Sequence, residues 1–267
     1  MGREVLFYSR IVPLDRHAHR TVTLDPGAGR FAFAHGSHVV PAVVDEMVVG
    51  GRSLPIVFVP GASSPSPVFL VGLRANRNAL IGDDGSWRGD YVPAFIRRYP
   101  LIYGEVDGAE PIACVDPTGF ADTGEPLFTD DGTETPFLAE RLRLMNDYFI
   151  AAKRTETFVA RLAALDLLRP VTIDAAFRGG DVASLHGLLT IDGAKLEGLA
   201  DADFLALRTD GFLPAIYAAL ASLGTLDALR RSIDAALELA PSPVTADEPV
   251  DRPRARATSG QGRRTAA

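Results

Sequence analysis

One cysteine, one tryptophan, three methionines and five histidines are spread over 267 residues. The lone Cys114 rules out an intramolecular disulfide and any zinc site built on several cysteines. Long apolar runs are missing too. A membrane-spanning helix needs about 18–20 consecutive apolar residues. The best stretch, 213–226, is shorter and is interrupted by Ser222, Gly224 and Thr225, so no span is expected. Nor is there a surplus of positive charge: 27 Lys and Arg face 34 Asp and Glu, a formal net charge of −7. That balance argues against nucleic acid as a partner. The opening residues hold no apolar leader, and Leu6 stands where a myristoylation signal needs Ser or Thr. The expected location is the cytoplasm, with the cell surface reached by signal-less export as the alternative.

What remains is the composition of an ordinary globular protein, 47% hydrophobic and 23% charged, long enough to bury a sizeable core. Residues 1–135 read as β-rich. Short apolar runs at 5–12, 39–44, 54–59, 68–73, 79–81, 101–106 and 111–115 alternate with Asp-Gly, Gly-Gly and Pro-Gly breaks, the chemistry of tight turns between strands. Residues 91–99 are more helical in pattern, with Pro93 suited to a first turn.

Residues 136–240 read as mainly helical. Thr135 and Pro136 open a helix whose apolar stripe runs through Leu138, Leu142, Met145, Phe149, Ala152, Val159 and Leu162, with Pro170 as its stop. Runs at 171–177 and 182–191 flank Arg178-Gly-Gly-Asp181, an inserted hairpin. Helices follow at 201–208, 214–223 and 226–239. The expected fold class is α+β: an N-terminal antiparallel sheet or partly open barrel packed against C-terminal helices. Residues 1–240 form the single expected domain. Residues 241–267 carry four prolines, and five Arg against three acids. With almost nothing apolar to bury, they read as a disordered tail.

Catalytic and cofactor signatures are scarce. His17 and His19, and His35 with His38, invite a metal reading with Asp45 or Glu46 as a further ligand, but Arg16 and Arg20 surround the first pair and no zinc-ligand spacing is present. No metal is expected. There is no nucleophile elbow, Walker loop or dinucleotide glycine motif, so no cofactor is expected either. Cys114, inside Ile112-Ala-Cys-Val115, reads as a buried structural thiol. Asp83-Asp84 and Asp130-Asp131 precede glycines and are turn residues first.

The densest chemistry lies between Trp87 and Pro100, with the only Trp, two Tyr, one Phe and three Arg in fourteen residues. Arg among aromatics is the composition of recognition surfaces. The plainer alternative is a short amphipathic helix with Phe95 and Tyr99 turned inward and its arginines solvated. The residues assigned to partner binding are Trp87, Tyr91, Arg97, Arg98 and Tyr99, with Glu46 and His38 beside them.

Tyr91-Val-Pro-Ala-Phe-Ile-Arg-Arg-Tyr-Pro100 resembles the central signature of the bacterial SapC family. The rest agrees in order: Ile11-Val-Pro-Leu14, Leu54-Pro-Ile-Val-Phe58, Val71-Gly-Leu73, Gly124-Glu-Pro-Leu-Phe128, Thr157-Phe158, Leu185-His-Gly-Leu188 and Ile216-Tyr217. The resemblance spans roughly residues 4–226 and leaves the tail out. It implies a link to bacterial surface layers. Members are also labelled peptide-transport permeases, at odds with the absence of a spanning helix here. Their genes neighbour outer-membrane receptors, cupin-like oxygenases and flavin-dependent tryptophan halogenases. The favoured expectation is a non-catalytic accessory protein that recognises a peptide or protein partner. An enzyme or enzyme subunit using Glu46, His38 or Arg97 in a cleft, and a surface-layer structural protein, are the alternatives.

Overall fold

The computed structural model describes residues 5–27, 31–104 and 110–239. The expected tail at 241–267, and the end of the run expected at 101–106, lie outside the described residues. In chain order the elements are β1 (Val12–Pro13), β2 (Thr23–Leu24), β3 (Val39–Pro41), α1 (Met47–Gly50), β4 (Ile56–Val59), β5 (Ser66–Leu70), α2 (Ala94–Arg97), β6 (Leu101–Gly104), β7 (Ile112–Val115) and β8 (Glu125–Pro126). Then come α3 (Pro136–Ala164), β9 (Leu168–Ala176), β10 (Val182–Ile191), α4 (Gly193–Glu197), α5 (Asp201–Thr209), α6 (Leu213–Ser222) and α7 (Leu226–Leu239).

The fold is α+β and its sheets are open and antiparallel. The largest has the order β3-β5-β4-β10-β9, a three-stranded sheet runs β1-β7-β6, and β2 pairs with β8. Ile56, Val57 and Phe58 of central strand β4 are all fully buried, which is why that run reads as continuously apolar rather than alternating. The hairpin expected in the helical half is present, but it does not stand apart. Leu189 of β10 sits opposite Phe58 of β4, so the β-rich and helical halves share one sheet.

Helix α3 is 29 residues long, about 43 Å at 1.5 Å per residue. Thr135 caps it, its hydroxyl accepting from the Leu138 N–H at 3.2 Å while donating to the Pro126 carbonyl at 2.8 Å. The helix serves two cores. Leu138 and Met145 pack with Leu24, Leu101, Val115 and Leu127 over the three-stranded sheet. Phe158, Val159 and Leu162 enter the main core on the five-stranded sheet, with the Phe158 ring 6.4 Å from that of Phe58. The expected stripe needs correcting in the middle: Phe149 is only half-buried, resting edge-on against Tyr103 at 5.3 Å. Nor does Pro170 stop the helix. The chain turns at Asp166, whose φ is 50°, and Pro170 lies inside β9 opposite Leu189.

Two further expectations fail for local reasons. The run at 5–12 forms a strand only at its end, because Phe7 adopts a φ of 73° and breaks the extended chain. Its ring then packs on Phe33 and Phe95. The run at 79–81 contributes a single bridge, Ile81 to Trp87. No single helix among the described residues is long and apolar enough to cross a membrane.

Candidate functional site

The segment 87–100 is anchored by a carboxylate. Glu46 ends a one-turn 3-10 helix at Val44–Glu46 and is 7% exposed. Its Oε2 accepts from the Tyr91 hydroxyl at 2.7 Å and from the Ala94 N–H at 2.8 Å, and its Oε1 from the Val43 N–H at 3.1 Å. One side chain thereby ties the turn before α1 to the start of α2. Burial pushes its carboxyl above the ordinary range, against the pull of the three donors and of Arg97. Burial and the adjacent Glu46 push the Tyr91 phenol upward. Gly50 makes room for this junction: a Cβ there would lie 2.5 Å from the Phe69 ring and 3.0 Å from that of Tyr91.

Beyond that anchor, three successive side chains diverge, as residues about 100° apart on a helical turn must. Arg97 donates from Nε to the Val92 carbonyl at 3.0 Å. It borders a cavity of about 350 Å³ with Phe137, Glu140, Arg141 and Asp147. Tyr99 stacks on Phe33 with ring centroids 3.8 Å apart, and its hydroxyl lies 3.1 Å from Thr118 Oγ1. It lines a separate cavity of about 300 Å³ with Phe33, Phe120, Phe137 and Arg141. Arg141 stands between the two, donating to the Arg97 carbonyl at 3.2 Å.

Arg98 points a third way and is 8% exposed, so the expectation of solvated arginines fails here. Its Cζ lies 4.4 Å from the ring centres of Phe95 and Tyr148 and 5.6 Å from that of Tyr8. It reaches a groove of about 580 Å³ between α3 and β6, walled by Phe95, Ile102, Tyr103, Met145, Tyr148 and Phe149. Tyr8 is fixed by a hydrogen bond from its hydroxyl to the Leu101 carbonyl at 2.8 Å. Burial raises the phenols of Tyr8 and Tyr148, that of Tyr148 to about 12, so both rings are neutral walls.

Not every residue assigned from the sequence joins this region. Trp87 packs edge-on against Phe31 at 6.1 Å. His38 accepts from the Asn76 N–H at 3.2 Å, and burial holds its imidazole below its usual value. No hydrogen bond among the described residues joins either of them to Glu46, Tyr91, Arg97 or Arg98. Tyr8, Tyr148, Phe33 and Arg141 complete the walls and were not singled out from the sequence, because they reach the site from distant elements. Elsewhere, His19 accepts from the Asp15 N–H at 3.0 Å and rests on Phe120. Among the described residues, no group of three or more His, Cys, Asp or Glu could hold a metal ion. Cys114 is buried, which pushes its thiol upward.

A family model described as SapC matches residues 14–229. No curated protein and no solved structure gives a significant match. The chain belongs to the SapC family.

Proposed function

We propose that this member of the SapC family is a non-catalytic accessory protein that binds a peptide segment of a partner in the groove between α3 and β6. The observation that carries the reading is the groove itself: about 580 Å³, walled by aromatic and apolar side chains, with one buried cation in its lining. That size and make-up are those of a ligand site, with few polar groups to orient and much apolar area to bury. Aromatic rings and arginine are also the residue types that dominate binding energy at interfaces. The catalytic alternative needs Glu46, a histidine and an arginine around one cleft. Instead both Glu46 oxygens are taken by Tyr91 and main-chain N–H groups, and His38 is engaged with Asn76.

The test is affinity selection from a synthetic library of short peptides, run in parallel on the native chain and on Ala152→Phe. Ala152 lines the groove, so a phenyl ring there fills it. Enrichment on the native chain that is lost on the variant supports the proposal. No enrichment, or the same peptides on both proteins, overturns it.

A further inference from the structure

The Arg98 guanidinium is a buried charge with no counter-charge among the described residues. Among the described residues it makes no ion pair and its side chain donates no hydrogen bond, and its Nε is fully enclosed without a partner. Three rings surround it, but an aromatic face attracts the charge without accepting the N–H groups that lie in the guanidinium plane. Buried arginines are ordinarily matched by a carboxylate, because desolvating an unpaired charge is costly. Among the described residues the acid that lines the groove is Glu156, and it pairs instead with Lys153 at 3.2 Å. Its two terminal Nη groups are not enclosed in this way, and what they lack is an acceptor with two oxygens arriving from the groove that Arg98 lines.

We infer that the groove takes a ligand end in which a carboxylate sits next to an apolar body, the carboxylate forked onto Arg98 and the body laid against Ile102, Met145 and Phe149. This rests on the peptide reading in one respect only: a peptide's C-terminal carboxylate after an apolar last residue is one source of that chemistry, a medium-chain fatty acid the other. Arg–carboxylate pairing is planar and two-pronged. The rings of Phe95 and Tyr148 hold the guanidinium in position and so reduce the ordering needed on binding.

The test is calorimetry on the full chain with four probes: octanoate, octanol, acetyl-Ala-Leu-Phe with a free carboxylate, and the same peptide as its amide. Each acid is expected to bind at least about tenfold more tightly than its neutral counterpart, the value of a charge-assisted pair. Arg98→Gln is expected to erase that preference, and Ala152→Phe to abolish binding of both acids while leaving Arg98 in place. If Arg98→Gln fails to fold, the acid-against-neutral contrast and Ala152→Phe still decide. Equal binding of acid and neutral probes overturns the inference, as does acid binding that survives Ala152→Phe or no acid binding at all. Groove-dependent peptides indifferent to amidation would remove the carboxylate and leave the peptide reading standing. Octanoate binding with neither peptide form binding would do the reverse.

Discussion

Glu46 shows how much of the site rests on single side chains. It has three donors and almost no water, so removing one donor has a measurable cost. Tyr91→Phe deletes the phenol that donates to Oε2 and is expected to cost about 1–3 kcal/mol, the range for leaving a buried polar group without its partner, read from urea unfolding. The carboxyl also carries a pH signature. Burial holds it above the ordinary carboxylate value, so the folded chain binds that proton more tightly than the unfolded chain. Its contribution to stability is full below the ordinary value and is lost as pH rises through the raised one. The stability of the native chain minus that of Glu46→Gln is therefore expected to fall as pH rises above the ordinary carboxylate value and to level off once the raised value is passed. A flat or rising difference would show that the three donors outweigh burial. The sequence marked Glu46, Tyr91 and Arg97 as candidates, and they lie together. It could not divide Arg97 from Arg98 in their surroundings, because the partners of Arg98 come from Tyr8 and Tyr148, far along the chain in either direction.

At the scale of elements, legibility followed periodicity. The long helix, the hairpin and the last helices were readable because an apolar stripe or a turn signal repeats within each. The short strands of the first half were readable as apolar runs but not in their pairing, which is set by contacts between distant residues. Phe7 shows the limit: its apolar neighbourhood suggests a strand, while its left-handed backbone serves the packing of one ring. Within α3 the stripe alone cannot say which phenylalanine is central. Phe158 is fully buried and Phe149 faces the groove. Phe158→Ala is thus expected to cost about 3–5 kcal/mol, and Phe149→Ala clearly less, compared by their urea midpoints. Equal losses would place the groove wall in the core.

At the scale of the whole molecule, α3 contributes side chains to two cores and β10 pairs with β4 across the two halves of the chain, which leads to the expectation of one cooperative unit. Met145→Ala acts on the smaller core and Phe158→Ala on the larger, yet both are expected to shift one unfolding transition. Calorimetric scans that split into two peaks for either variant would divide the molecule along α3. The same sheet has a consequence for synthesis. β3, β5 and β4 are translated early, but the strand that covers the open edge of β4 is β10. It ends 132 residues after β4 does, a delay on the order of ten seconds at roughly 5–20 residues per second. Until then the nascent chain displays Ile56–Val59 as an unpaired apolar edge, the kind of edge that recruits other strands. A chain cut at residue 135 never acquires its cover. Such a fragment is expected to collect in the insoluble fraction unless the peptide 168–191 is supplied alongside it.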